Sequence, residues 1–88
     1  MLKISVREMT GRGAVLRVEG RVIGPWVEEL RRACEGILGE GGRLTLDLSA
    51  VSFIDNDGIV LFQSLDGRQV GVVNCSPFVA EQLRRVLR

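Results

Sequence analysis

The sequence predicts a small α/β domain in which a mixed β-sheet is covered by helices, in the order ββαβαβα. Three observations predict it. Apolar and polar residues alternate from Leu2 to Val6, from Ala14 to Val18 and from Leu44 to Leu48, the period of half-buried strands. Apolar residues recur at three-to-four spacing from Trp26 to Leu38, the period of a helix. Turn and capping signals then divide the remainder into a short helix, a strand and a last helix. Strands joined through helices should run parallel by right-handed crossovers, whereas strands joined by a tight turn run antiparallel, so the sheet is expected to be mixed.

Taken in order, Leu2, Ile4 and Val6 alternate with Lys3, Ser5 and Arg7, and Ala14, Leu16 and Val18 alternate with Val15, Arg17 and Glu19. The glycines flanking Arg12 make these two runs a hairpin with one charged face. Gly24-Pro25 then predicts a helix start with proline at the first helical position, where its fixed φ helps and its missing N–H is not needed. Trp26, Val27, Leu30, Ala33, Cys34, Ile37 and Leu38 form the apolar stripe of that helix, and Glu28 can meet Arg31 and Arg32 on its outer side. Gly39, Gly41 and Gly42 end it.

Leu44, Leu46 and Leu48 form the next strand, and Val51, Phe53 and Ile54 continue the apolar signal after a break at Ser49-Ala50. The chain turns at Asp55-Asn56-Asp57-Gly58, and Ile59 to Leu65 forms a short buried helix ended by Asp66-Gly67. Val70, Val72 and Val73 form the last strand. Ser76-Pro77 caps and starts a final helix, with Val79, Leu83, Val86 and Leu87 inward and Arg84, Arg85 and Arg88 complementing its negative end.

The chain has 88 residues, 45% hydrophobic and 26% charged, which suits one domain over residues 1–88 with a core that needs neither metal nor disulfide. A net charge of +1 lacks the basic excess that a phosphate backbone demands, so nucleic acid is not an expected partner. The longest aliphatic or aromatic run, Ile59 to Phe62, falls far short of the ~20 apolar residues of a membrane span, and no charged-then-apolar leader opens the chain. Direct membrane insertion is not expected, and the cytoplasm is the expected location. With no histidine, no tyrosine and one lysine, Lys3, histidine-based acid/base catalysis and zinc sites have no residues to use. Cys34 lies on the apolar stripe of a helix and Cys75 just after an apolar strand, where a thiol acts as a small hydrophobe. No cofactor is implied.

One dense polar cluster, Asp55-Asn56-Asp57-Gly58, stands directly between apolar runs where a strand ends and a helix begins, the place at which open α/β sheets gather ligands and switches. An ordinary helix start explains the same residues: Asp55 or Asn56 caps, Asp57 complements the dipole, and Gly58 relieves a tight turn. An aspartyl-phosphatase loop also begins D-x-D-G, but it needs a downstream lysine and further carboxylates, and beyond Asp66 the only carboxylate is Glu81. A calcium loop fails because Ile59 to Phe62 occupy positions where oxygen ligands should stand. The chain is therefore not expected to be an enzyme.

Gly20, the segment Leu46-Asp47-Leu48-Ser49-Ala50-Val51-Ser52-Phe53-Ile54-Asp55-Asn56-Asp57-Gly58, and Val72-Val73-Asn74-Cys75-Ser76-Pro77 with Val79 and Leu83 resemble the STAS domain of anti-sigma factor antagonists. The middle segment follows the family pattern apolar-D-L-S-x-V-x-F-I-D-S-S/T-G. The resemblance implies the same ββαβαβα fold and a non-catalytic regulatory module that binds a protein partner through the loop Asp55, Asn56, Asp57, Gly58 and Ile59. In that family a kinase that is also the anti-sigma factor phosphorylates the second Ser or Thr of the loop. By motif position Asp57 stands at that phosphosite and Asn56 at the first Ser, so both hydroxyls are missing. The resemblance implies as partner an anti-sigma factor of the GHKL-type kinase class or a transporter subunit. Two other uses of such domains stand beside it: a subunit of a lipid (Mla-type) ABC transporter, and a small-ligand or nucleotide sensor.

Overall fold

The computed structural model describes residues 2–84 of the chain. Its elements are β1 (Leu2–Thr10), β2 (Gly13–Val22), α1 (Trp26–Leu38), β3 (Arg43–Ile54), α2 (Asn56–Leu65), β4 (Val70–Val73) and α3 (Pro77–Leu83). The order ββαβαβα is the expected one. The strands lie side by side as β1-β2-β3-β4. β1 pairs antiparallel with β2, and β2–β3 and β3–β4 are parallel. Val86, Leu87, Arg85 and Arg88 lie outside the described residues.

One apolar core accounts for this arrangement. Leu16 and Val18 of β2, Leu44, Leu46 and Leu48 of β3, Leu30 and Cys34 of α1, Leu61 and Phe62 of α2, and Val79 and Leu83 of α3 all belong to it. Because alternate strand residues face opposite ways, a single core that includes all three helices places them on one side of the sheet. Arg17, Thr45 and Asp47 lie on the other side, which no helix among the described residues covers, and are only partly buried.

The structure differs from the sequence expectations at four places. β3 does not break at Ser49-Ala50 but runs on to Ile54. Arg17 pairs with Asp47 and Glu19 with Ala50, so Leu48 and Ser49 stand opposite Val18 alone; Gly20 pairs with Val51 and Arg21 with Phe53, so Ser52 is also extra. Each extra residue is a bulge, which shifts the side-chain phase by one. The inward residues therefore step from Leu48 to Val51 to Ile54, all buried, at intervals of three.

Val6, expected inward, is 58% exposed. β1 is an edge strand, the helices pack chiefly on β2 and β3, and only Leu2 and Ile4 of β1 reach the core. Pro25 precedes the first helical residue instead of occupying it, although its φ of −65° and ψ of −18° are already helical. Finally, Asn56, Asp57 and Gly58 form the first turn of α2 and are not a loop before it.

Elsewhere the expected chemistry holds. Ser76 caps α3 by accepting from the Val79 N–H at 3.2 Å, with Pro77 in its first turn. Glu28 meets Arg31 at 3.2 Å on the outer side of α1. Both cysteines are free, Cys34 being buried and Cys75 partly so. Burial pushes the Cys34 thiol up to about 12, so this sulfur packs as a hydrophobe.

Candidate partner-binding site

The site is built where β3 delivers the chain to α2. Asp55 leaves the strand in extended geometry, with φ −84° and ψ −178°, and caps the helix. Its Oδ1 accepts from the Gly58 N–H at 2.8 Å, and its Oδ2 accepts from the Gly24 N–H at 2.9 Å. Its own N–H donates to the Val22 carbonyl at 3.0 Å. One residue thus ties the start of α2 to the end of β2 and to the loop that leads into α1. The Gly24 and then the Gly58 N–H bonds hold the Asp55 carboxyl below the usual carboxylate range. Both of its oxygens are engaged by backbone, which leaves it poorly placed to act as a nucleophile.

Gly58 is buried in the first turn of α2, and a side chain there has no room. A Cβ would come within 2.6 Å of Ile54 Cγ2 and 2.9 Å of the Val22 carbonyl oxygen. The close approach of α2 to β2 therefore requires glycine at this point. Gly24 has φ 54°, the left-handed region, which turns its N–H toward Asp55 at no steric cost.

Around this rigid start, Asn56 and Asp57 are exposed, and Ile59 is partly buried against the core. The five residues expected at the site are together, in two roles. Asp55 and Gly58 hold the turn in place, whereas Asn56, Asp57 and Ile59 face the surroundings. Asp57 in the first turn sits at the positive end of the helix dipole.

A shallow groove lies on each side of the turn. One, of about 230 Å³, is lined by Ile59, Phe78, Glu81 and Gln82. The other, of about 210 Å³, runs between α1 and α2 and is lined by Gly24, Val27, Glu28, Arg31, Asp57 and Val60. Val60 is 55% exposed and Phe78 56%. Phe78 stacks on Phe53 with ring centroids 6.2 Å apart. Three large apolar side chains thus remain in water next to the turn.

Sequence reasoning missed the contribution of Val60, Phe78 and Gln82. The exposure of Val60 was hidden inside an apolar run, in which the helical phase alone separates it from buried Leu61 and Phe62. Gln82 of α3 gave no signal at all. Its side-chain amide accepts from the Ile54 N–H at 3.0 Å and donates to the Ile54 carbonyl at 2.7 Å, completing the edge of β3 beyond the reach of β4.

A four-stranded mixed sheet with three helices on one side and a braced helix start at the end of β3 defines a domain of the STAS type. The family model described as "Mlab, STAS domain" matches residues 5–86, and the chain belongs to this family. Among solved structures, that of the anti-sigma factor antagonist SpoIIAA in its unphosphorylated form is similar, with a TM-score of 0.70 and 18% identity, covering 93% of this chain and 82% of that one. At that identity the likeness is one of fold. No curated protein sequence matches the chain.

Proposed function

We propose that this STAS domain is a non-catalytic regulatory module that binds a protein partner through the first turn of α2, with Asp57 as a fixed negative charge in place of a phosphorylatable hydroxyl. The observation that carries the reading is the turn itself. Asp55 braces it from inside, no residue from Asp55 to Ile59 carries a hydroxyl, and exposed Val60 and Phe78 flank it. Exposed apolar side chains beside a rigid polar turn are what a partner can cover without reordering the domain. Catalysis finds little support in a carboxylate whose two oxygens already accept from Gly24 and Gly58.

The partner class that the fold suggests is an anti-sigma factor with kinase character, by analogy with the antagonist SpoIIAA. The description of the matching family model favours a second reading, in which the same turn docks onto a subunit of an Mla-type lipid transporter. Both readings place the domain in the cytoplasm, and no helix among the described residues is long and apolar enough to cross a membrane.

Affinity capture with the wild-type chain and with Val60→Arg tests the shared claim. Val60 is exposed, so the variant should keep its circular dichroism and melting temperature while the captured partner is lost. Equal capture by both proteins places the interface elsewhere. The identity of the captured protein, kinase or transporter subunit, separates the two readings.

A further inference from the structure

We propose that an open groove at the opposite end of the sheet binds a soluble phosphate monoester. Arg43, Thr45, Arg68, Gln69, Val70 and Gly71 line a space of about 330 Å³ where β3 and β4 begin. Arg43 and Ile54 are the two ends of β3, so this groove is remote from the first turn of α2.

The lining has a single chemical character. Its four polar side chains, two guanidinium groups, a hydroxyl and an amide, can all donate hydrogen bonds, and none is acidic. Arg68 is oriented by Glu35, to which Nη1 donates at 2.8 Å and Nη2 at 3.0 Å. Each of those nitrogens carries a second N–H that this pair does not use. Arg43 takes part in no ion pair among the described residues.

Gly71 is an independent observation. It lies inside a strand, where glycine weakens pairing and often marks the close approach of a ligand. Packing does not require it, since a Cβ there would meet nothing within 4 Å, and its φ is not in the left-handed region. Thr45 is its partner across β3 and β4, on the face that the helices leave open. The bare backbone of Gly71 thus forms a floor, with cations and neutral donors around it. A carboxylate offers two oxygens to these donors and a phosphate monoester three, which fits a set with two guanidinium groups better.

Amide NMR titration of the labelled chain with glycerol 3-phosphate at constant ionic strength tests the assignment. Saturable shifts at Thr45, Gln69 and Gly71 are expected. Arg43→Ala should weaken binding at least tenfold, and Gly71→Val, which fills the groove with a residue that strands favour, should do the same with the remaining spectrum unchanged. Shifts that do not saturate, or unaltered affinity in both variants, overturn the site. Equal affinity for succinate overturns the choice of phosphate. Sedimentation with phosphatidic acid vesicles in the absence of any response to glycerol 3-phosphate overturns the choice of a soluble ligand.

Discussion

The Gly24 N–H donates to Asp55 Oδ2 at 2.9 Å across 31 positions of chain, so the loop before α1 and the start of α2 share one carboxylate. Asp55→Ala removes the acceptor for Gly24 and the cap on Gly58 together, and should lower the melting temperature more than Asp66→Ala, whose exposed side chain lies at the far end of α2. Asp55→Asn keeps one acceptor oxygen and should fall between them. Thermal melts of the three variants decide the order, and an Asp55→Ala protein as stable as wild type removes the bracing role assigned to this residue.

Acid should loosen the fold for the same reason. The carboxyls of Asp55, held by Gly24 and Gly58, of Asp47, held by Ser49, and of Glu35, held by Arg68, all lie below their ordinary values. A group whose folded-state pKa is depressed stabilises the fold above its unfolded-state value of about 4, and the contribution is lost as pH falls through the lower folded-state value. Urea midpoints should be nearly flat around neutrality and decline below about pH 4. Asp55→Asn should flatten part of that decline, and a midpoint that rises on acidification contradicts the assignment.

Gly58→Ala is expected to be costly although alanine favours helices. The added methyl meets Ile54 Cγ2 at 2.6 Å and the Val22 carbonyl oxygen at 2.9 Å, and the latter is backbone that cannot rotate away. Overpacking of this kind costs about 1 to 3 kcal/mol, more than the ~1 kcal/mol that alanine gains over glycine in a helix. Urea unfolding measures it, and a stabilised variant means that α2 can move off β2 freely.

Trp26 opens the stripe of α1 but is only partly buried, whereas Leu30 is fully buried. Leu30→Ala should therefore cost about 2 to 5 kcal/mol, and Trp26→Ala less than the ~3 to 5 kcal/mol of a fully buried tryptophan. Should Trp26→Ala cost below about 1 kcal/mol, its ring serves the surface, and an interface anchor becomes the better account.

The element order was legible because each helix and strand carries its own period, cap or breaker. Ser76-Pro77 and Asp55 act as caps, as their residue types suggested. The continuity of β3 was not legible, since two bulges replace the alternating period with steps of three at Leu48, Val51 and Ile54, which reads as the end of a strand. The exposure of Val6 depends on its edge position, a tertiary fact with no local signature. At the site, Asp55 to Gly58 stood out as a cluster, but the second bond of Asp55 reaches Gly24, and only the folded chain brings those two together.

Gln82 shows the same kind of long-range dependence and gives a sharp test. Its amide both accepts from and donates to the Ile54 backbone, so the variants separate the two bonds. Gln82→Glu retains an acceptor for the N–H but sets a carboxylate against the Ile54 carbonyl, and Gln82→Leu removes both partners. Leaving partly buried backbone groups unpaired costs about 1 to 3 kcal/mol, so both variants should be less stable than wild type at neutral pH. Protonation of the new glutamate restores a donor. Gln82→Glu should therefore gain stability as pH falls from about 6 to 4.5, where wild type stays nearly flat, whereas Gln82→Leu should not differ from wild type in its pH response.

Asp57 is the residue on which the regulatory proposal turns. A phosphoserine at a helix start brings a charge of roughly −1.5 to −2 and three acceptor oxygens, whereas aspartate brings one charge and two oxygens, so Asp57 imitates a modified loop incompletely. If the partner is adapted to that charge, Asp57→Ser should weaken the native complex, and Asp57→Ala should weaken it equally. If the charge instead prevents docking onto a kinase of the anti-sigma class, Asp57→Ser should create that binding and accept phosphate, whereas Asp57→Ala should create binding alone. A charge-assisted contact is worth about 1.5 to 3 kcal/mol, so either branch should change affinity by roughly tenfold or more. Calorimetry with the captured partner, together with phosphate incorporation, reads both branches. Unchanged affinity in both variants with no phosphate incorporated reduces Asp57 to a charge that complements the α2 dipole.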